Sequence, residues 1–185
     1  MIPKIKNILY ATDLSKNSAY AFRYAVNSAR HHGADIHILH VLDIRFFPIP
    51  LPEEGGIGIL SEGPLYLKQL QKVDAEQKKL AKDKIQKRLK AFCQQELQGN
   101  AALLKRVVSI EIAEGDPAAQ ILQKAEELPA DVVIMGSHGK GFLAHTFLGS
   151  VAEKVLQRIR IPVFIIPIPK ETKLKADRSR SQKKG

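Results

Sequence analysis

The sequence predicts an α/β fold, a three-layer sandwich in which helices cover both faces of a five-stranded parallel sheet. Strand-like and helix-like segments alternate over about 167 residues, from the first strand to the fifth. The segment 130–135 is a nearly continuous apolar run, which is typical of a central parallel strand buried on both faces. No internal repeat is present, and right-handed crossovers between parallel strands place helices on both sides of the sheet.

Length and composition narrow the class of protein. The 185 residues fit one domain with extensions, and a chain of this size buries a full core without covalent staples. Cys93 is the single cysteine, so no intrachain disulfide forms. The longest apolar run, 161–169, is about half of a membrane span, and the N-terminal residues lack a signal-peptide pattern. We therefore expect a cytoplasmic protein rather than a secreted, collagenous or membrane-spanning one.

The predicted domain begins with a strand and an amphipathic helix. Residues 5–11 form an apolar segment that predicts a buried strand ending at Thr12. Residues 16–32 are predicted to be helical, because apolar side chains recur at three- and four-residue steps along one face. Ser15 is a suitable N-cap, and Gly33 stands where helices commonly end in the left-handed conformation.

A second strand, an irregular segment and a long helix follow. The strand is predicted over 34–43, and the helix runs from about residue 65 to residue 97. Between them, residues 44–64 contain four prolines and four glycines. This segment is also apolar, so we expect it to pack as a lid or an interface loop.

The second half of the chain alternates in the same way. Asp116 followed by Pro117 is a strong helix-start signal, since Asp caps the first turn and Pro is tolerated at the first helical position. A glycine-rich loop over 136–149 precedes the last helix. The predicted elements are a strand at 106–113, a helix at 118–128, a strand at 130–135, a helix at 150–159 and a strand at 162–166.

The net charge of +10 is concentrated in two segments. The tail 170–185 carries seven basic and two acidic residues, and its polar composition predicts disorder. The helical segment 68–90 carries nine Lys or Arg residues against three acidic ones. This charge fits a solvated helix face with a loose tail, or a surface that attracts nucleic acid or an anionic membrane. The first interpretation is favoured, since no aromatic-interleaved basic motif is present.

The loop after the fourth predicted strand is the strongest candidate for chemistry. Gly136 and Gly139 let the backbone approach a ligand closely and take positive φ without strain. Gly149 and Ser150 open the last helix, whose free N–H groups and dipole favour an anion. In a parallel sheet this loop lies at the carboxyl ends of the strands, where ligands bind. The pattern therefore favours a phosphate site, and the alternative is a glycine-rich crossover that binds no ligand.

Other motifs do not fit this loop. Its spacing is neither that of a Walker loop nor that of a G-x-G-x-x-G fingerprint, and it follows the fourth strand instead of the first. Ser137 and His138 lack the nucleophile-elbow spacing of an esterase. His37 and His40, three apart on a strand, point to opposite faces and cannot share a metal. Lys140 is expected to be a solvated loop residue.

Several motifs together resemble one family. The pattern Gly136-x2-Gly139-x9-Gly149-Ser150 is similar to the G-x2-G-x9-G-S/T signature of the ATP-binding branch of the universal stress protein family. The likeness extends over residues 3–167 and includes three further features. These are Asp13 in Ala-Thr-Asp-Leu-Ser at the end of the first strand, His40-Val41 in the second, and Gly115-Asp116-Pro117 before the third helix.

The resemblance implies a fold and a binding site. The fold is an adenine nucleotide alpha hydrolase-like, Rossmann-like sandwich with strand order 3-2-1-4-5, formed by a nucleotide-binding domain over 1–169. Asp13 and Val41 then hold the nucleoside, Val41 through its backbone. The remaining contacts to ribose and phosphates are implied for Met135, Gly136, His138, Gly139, Gly149, Ser150 and Val151.

The implied ligand is ATP, or AMP or ADP, with Mg²⁺ on the phosphates as an optional companion, although no acidic pair offers the metal a dedicated cage. The family also implies a homodimer through the last strand, residues 162–167, whose apolar edge invites pairing.

Three functions are compatible with these observations. The resemblance implies an ATP-binding, nucleotide-dependent stress-response or signalling module. A slow ATPase on the same scaffold is an alternative, since no placed general base or arginine finger for fast chemistry is evident. The third is an interaction protein whose basic tail and helix bind nucleic acid or a membrane surface.

Overall fold

The computed structural model of the chain describes residues 3–43, 63–138 and 148–167. Ten elements of secondary structure lie in this part of the chain. The strands are β1 (Asn7–Thr12), β2 (Asp35–Leu42), β3 (Val107–Glu114), β4 (Val132–Gly136) and β5 (Val163–Ile166). The helices are α1 (Lys16–His32), α2 (Gly63–Glu96), α3 (Ala101–Leu104), α4 (Pro117–Glu127) and α5 (Ser150–Arg158).

The five strands form one parallel sheet in the order β3-β2-β1-β4-β5, which confirms the predicted fold class and strand order. β1 lies at the centre, where Ile8 is in register with Ile36 of β2 and with Val132 of β4. The order reverses between β1 and β4, so the chain leaves these two neighbouring strands in opposite directions. A crevice at the carboxyl ends of the strands is expected at such a point.

The two faces of the sheet bury separate apolar cores. On one face, Tyr10 of β1 packs against Phe22 of α1, and Phe22 packs against Phe92 of α2, with ring centroids 5.1 and 5.0 Å apart. On the other face, Leu9 and Val133 pack with the buried residues of α4 and α5. Because successive residues of β1 face opposite cores, the strand is apolar at every position from Ile8 to Ala11.

The predicted elements differ from the observed ones mainly at their ends. The short helix α3 was not predicted, because Gly99 and Asn100 were interpreted only as the end of the preceding helix. Asn100 in fact caps α3, since its Oδ1 accepts hydrogen bonds from the N–H groups of Ala102 (3.1 Å) and Leu103 (3.2 Å). Gly63 already belongs to α2, so the irregular segment ends earlier than predicted.

The C-terminal half of α2 anchors this helix to the sheet. Leu89 and Cys93 are buried, and burial raises the pKa of the Cys93 thiol to about 11. Leu80, nearer the start of the helix, is 69 % exposed. The basic side chains between residues 79 and 90 that face solvent are Lys79, Lys84, Lys87, Arg88 and Lys90.

Several predictions concern residues that the structure does not describe. The predicted lid or interface segment is 44–64, and the structure describes only its last two residues. The basic tail at 170–185 lies entirely outside the described residues. In the described part of the chain, none of the helices combines the length and the apolar character that a membrane span requires.

Gly33 ends α1 in the left-handed conformation, with φ of 67°, as predicted. A Cβ added there would approach no other atom closer than Arg106 Nη2, at 3.8 Å, so backbone strain alone opposes a side chain. We expect Gly33→Ala to lower the free energy of unfolding by about 1 kcal/mol. Urea unfolding measures this loss, and Gly33→Asn should lose clearly less, because Asn tolerates this conformation. Equal losses in the two variants would contradict the explanation.

Candidate functional site

Eight of the nine predicted site residues lie in the described part of the chain, at the carboxyl edge of the sheet. They follow the ends of three strands, β1, β2 and β4, and the start of α5, and α1 also begins at this edge. Gly139 and the loop residue Lys140 lie outside the described residues. The described eight are Asp13, Val41, Met135, Gly136, His138, Gly149, Ser150 and Val151.

The turn between β1 and α1 presents a carboxylate. Asp13 Oδ1 accepts a hydrogen bond from the N–H of Ser15 at 3.0 Å. Asp13 Oδ2 is buried and has no hydrogen-bond partner in the part of the chain that the structure describes. A buried acceptor left in this state costs about 1–3 kcal/mol. The carboxylate therefore holds an unused buried acceptor at the carboxyl end of β1.

Backbone strain accompanies this carboxylate. Leu14 has a φ of 60°, in the left-handed region that residues with a large side chain rarely adopt. Its N–H donates to Thr12 Oγ1 at 3.1 Å, and this bond helps to hold the conformation. Ser15 then caps α1, because its Oγ accepts a hydrogen bond from the N–H of Ser18 at 3.2 Å.

His40 of β2 also contacts this turn, a role that the sequence analysis missed. Its Nδ1 lies 2.7 Å from the backbone oxygen of Thr12, and both residues are 7 % exposed. A carbonyl oxygen only accepts, so Nδ1 carries the proton. In the sequence, His40 is noticeable only as the neighbour of Val41, and this position does not predict its hydrogen bond to the Thr12 carbonyl.

Val41 offers its backbone to the same space. The last register pair between β1 and β2 joins Thr12 and His40, so Val41 lies one step beyond it. In a continued ladder the N–H of Leu14 would approach the Val41 carbonyl, but it donates to Thr12 Oγ1 instead. The Leu14 N–H is thus directed to Thr12 and not to Val41. The backbone role of Val41 stays a prediction.

Met135 and Gly136 end β4 on the other side of the crevice. Met135 is 5 % exposed and its side chain belongs to the core under α4 and α5, so only its backbone is near the crevice. Gly136 does not use the positive φ that glycine permits, because its φ lies outside that range. A Cβ there would contact the backbone oxygens of His138 (3.5 Å) and Asn17 (3.9 Å), so the site is close to α1 but not forbidden to a side chain.

Ser137 connects three elements behind the crevice. Its N–H donates to the Ile166 carbonyl of β5 at 2.9 Å, and its carbonyl accepts from the N–H of Gly149 at 2.8 Å. Its Oγ lies 2.9 Å from His138 Nδ1. From the sequence, Ser137 was considered only as a nucleophile and rejected. A small polar residue after a buried strand does not by itself predict these backbone hydrogen bonds.

The N-terminus of α5 is the candidate anion site. Gly149 is the N-cap and, having no side chain, leaves the helix without a side-chain cap. Its own N–H is occupied by the Ser137 carbonyl, so it is not available to a ligand. The N–H groups of Ser150 and Val151 have no acceptor within the helix, since they belong to its first turn. These two amides, rather than that of Gly149, are positioned to bind an anion.

Gly115, Asp116 and Pro117 have a structural explanation. Asp116 Oδ1 accepts a hydrogen bond from the N–H of Ala119 at 3.0 Å and so caps α4, while Gly115 has a φ of 128°. Lys154 of α5 lies 4.0 Å from the same carboxylate. This motif starts α4 and brings it beside α5.

The described residues contain no group of three His, Cys, Asp or Glu side chains that could hold a metal ion. His37 Nδ1 lies 2.9 Å from Ser109 Oγ, whereas His40 contacts Thr12, and this separation agrees with the predicted opposite directions of the two imidazoles. Burial lowers the pKa of His37.

A family model described as the universal stress protein family matches residues 4–167. Among curated proteins, the chain is 31 % identical to the universal stress protein MJ0531 of Methanocaldococcus jannaschii over 166 residues, which cover 90 % of this chain and 84 % of that protein. It is 29 % identical over 162 residues to a universal stress protein of Thermus aquaticus, covering 87 % and 98 % of the two chains.

Solved structures share the fold. The hypothetical protein MJ0577 superposes with a TM-score of 0.69 at 24 % identity, covering 91 % of this chain and 99 % of that one. UspA from Lactobacillus plantarum gives a TM-score of 0.62 at 24 % identity, covering 89 % and 99 %. A universal stress protein in complex with cAMP gives 0.51 at 21 % identity, covering 89 % and 98 %.

The buried oxygen of Asp13 leads to a prediction for the unliganded protein. Asp13→Asn keeps an acceptor for the Ser15 N–H and removes a charge whose second oxygen is unpaired. We expect the free energy of unfolding to stay equal or to rise by up to about 1 kcal/mol, because a neutral amide costs less to bury than a carboxylate. Urea unfolding at neutral pH measures it.

Asp116→Asn is the matched control, because Asp116 also accepts an N–H bond at a helix start but is near Lys154. That variant should lose about 0.5 kcal/mol, as the helix dipole and the lysine both favour its charge. A loss above 1 kcal/mol in Asp13→Asn would show instead that the folded, unliganded protein already stabilises the Asp13 charge.

Proposed function

Because the chain belongs to the universal stress protein family, we propose that it is a stress-response module that binds an adenine nucleotide, ATP foremost, in the crevice between β1 and β4. One observation carries the proposal: the buried Asp13 Oδ2 has no partner among the described residues. A nucleoside supplies the missing donor, either the amino group of adenine or a ribose hydroxyl.

The opposite end of the crevice suits the phosphates. The N–H groups of Ser150 and Val151 and the Ser150 hydroxyl are donors at the positive end of the α5 dipole. Charge-assisted hydrogen bonds of this kind contribute about 1.5–3 kcal/mol each. Three of them, together with the contact at Asp13, supply a part of the roughly 8 kcal/mol that micromolar affinity requires after the entropic cost of binding, and burial of the base adds to it.

Relatives support the choice of nucleotide. A protein of the same fold has been solved in complex with cAMP, which carries the same base and sugar as ATP. The pattern of Gly136, Gly139, Gly149 and Ser150 adds the resemblance to the ATP-binding branch. The described residues contain no cluster of three metal-ligating side chains, so we propose that any magnesium is bound mainly by the phosphates and water.

The role proposed is binding and not turnover. A ligand that binds only the folded protein raises its stability in proportion to the logarithm of the ligand concentration. Nucleotide occupancy would thereby change how firmly the β1–α1 turn and the start of α5 are held, and partners can respond to that difference. ATP turnover faster than about one per second, the low end of ordinary enzymes, would contradict the module in favour of an ATPase.

The phosphate end can be tested without deleting a side chain that packs. Ser150→Pro removes the amide proton at the first helical position, where proline is tolerated, and the extended Gly149 (ψ of 148°) is compatible with a following proline. We expect the affinity for ATP, measured by calorimetry on the desalted full chain, to fall about tenfold or more relative to Ser150→Ala, because one charge-assisted bond is lost.

Ser150→Ala is the matched control, since it removes the hydroxyl and keeps the N–H. Equal affinities of the two variants, with both folded by circular dichroism, would place the phosphates away from the α5 N-terminus. Wild-type protein that binds neither ATP nor AMP would overturn the proposed function itself. Denaturing the purified protein and identifying any released nucleotide complements the titration.

We also propose that the chain forms a homodimer through β5. The Pro162 and Ile166 carbonyls accept hydrogen bonds from β4 and Ser137, so the intervening backbone groups of Val163 and Ile165 face the open edge. Phe164 on this short apolar strand is 43 % exposed. An uncovered edge of this kind is a template for pairing with a second copy.

We expect sedimentation equilibrium at tens of micromolar to show a dimer for the wild-type chain and a monomer for Phe164→Lys, because a charge on the edge opposes pairing. Leu156→Lys is the control, as Leu156 is equally exposed at 43 % but lies on α5. This variant should remain dimeric. A wild-type monomer would contradict the proposed dimer.

A further inference from the structure

We propose that His40 is a positioning residue for the nucleotide site. From β2, its imidazole holds the β1–α1 turn in the conformation that keeps Asp13 Oδ2 inside the crevice. This inference rests on the proposed function, because it assigns His40 a part in binding the same ligand. It concerns a residue that contacts the turn and not the nucleotide.

The contact joins two strands at the point where their ladder ends. Thr12 and His40 form the last register pair between β1 and β2, and His40 Nδ1 donates to the Thr12 carbonyl at 2.7 Å. Both residues are 7 % exposed, so water does not compete for this hydrogen bond. The imidazole thus binds the Thr12 carbonyl, which belongs to the last residue of β1 that is paired with β2.

The turn that follows depends on this anchor. Leu14 has a φ of 60°, a conformation that costs about 1–2 kcal/mol for a residue with a side chain. Two local hydrogen bonds hold it, from Leu14 N–H to Thr12 Oγ1 and from Ser15 N–H to Asp13 Oδ1. Both bonds span only two residues and move with the turn, while the Tyr10 hydroxyl, which donates to the Ser18 carbonyl at 2.6 Å, ties the start of α1 to β1 alone. None of these bonds connects the turn to a second strand.

The His40 bond supplies that connection from a second strand. Without it, Thr12 can rotate, Leu14 can leave the left-handed region and Asp13 Oδ2 can turn from the crevice to water. Each of these changes relieves strain or solvates an unpaired oxygen, so the relaxed turn is favoured once the anchor is lost. The nucleotide must then restore the turn before it binds, which weakens its apparent affinity.

The hydrogen bond also determines which substitution should replace the histidine. Asn places its side-chain amide nitrogen at about the position of Nδ1 and can donate to the Thr12 carbonyl. Leu keeps the volume but has no donor. Gln keeps polarity, yet its nitrogen stands at about the position of Nε2, one bond further from the backbone, and cannot replace the Nδ1 contact.

The experiment compares ATP affinity with stability in full-length variants. His40→Leu is expected to weaken ATP binding about tenfold or more by calorimetry, the effect of losing one well-positioned charge-assisted hydrogen bond, whereas His40→Asn stays within about threefold of wild type. His37→Leu is the control, since it removes an Nδ1 contact to Ser109 Oγ from the same strand. It should lower stability in urea and leave ATP affinity unchanged.

A double-mutant cycle with Asp13→Asn separates positioning from general stability. If His40 acts through Asp13, His40→Leu should cost little further affinity in the Asp13→Asn background, so the two effects are not additive. Wild-type affinity in His40→Leu, or an equal loss in His37→Leu, overturns the inference. If His40→Leu fails to fold, His40→Gln takes its place with the same expected loss. If the wild-type chain itself binds no ATP, both the proposed function and this inference are overturned. If the wild type binds ATP and only the variants depart from expectation, the inference alone is overturned.

Discussion

The reversal of strand order between β1 and β4 is the constraint on which the rest of the site depends. Because the connections leave these neighbouring strands in opposite directions, none of the described helices crosses the carboxyl ends between them. The same arrangement directs two helix N-termini toward the opening, those of α1 and α5. The fold itself brings the loops after β1 and β4 together, so polar residues with short side chains are enough to form the site.

The two sides of the crevice are built differently. On the β4 side, the N–H and the carbonyl of Ser137 form hydrogen bonds with β5 and with Gly149 at the start of α5. Neither Ser137 nor His138 has a positive φ. On the β1 side, Leu14 is strained and Asp13 keeps a buried unpaired oxygen. Strain and unsatisfied groups commonly gather at functional sites, where a ligand offsets their cost. The apolar cores on both faces of β1 stabilise the sheet enough to tolerate them.

The sequence predicted the architecture well because it is encoded locally. The cap at Asp116, the stop at Gly33 and the apolar run of β4 each follow from side chains within a few positions. The functional details depend on distant partners instead. Glycine at position 136 permits a left-handed backbone, but Gly136 is distinguished by its close approach to α1 and not by its backbone conformation. The bond between His40 and Thr12 links residues 28 positions apart, and the loss of the Gly149 amide to Ser137 appears only once β4 and α5 are packed.

The register within the sheet also bears on how the molecule opens. β1 shares six residue pairs with β2 but four with β4, so the boundary between β1 and β4 is the shorter of the two central seams. Partial unfolding that separates the unit of β1, β2 and β3 from that of β4 and β5 would break the fewest central ladder bonds. A nucleotide bound as proposed, by Asp13 on one side and by α5 on the other, would span the boundary between β1 and β4. Binding would then slow amide exchange in these two strands without a visible change in the shape of the protein, and partners would respond to that difference in stability.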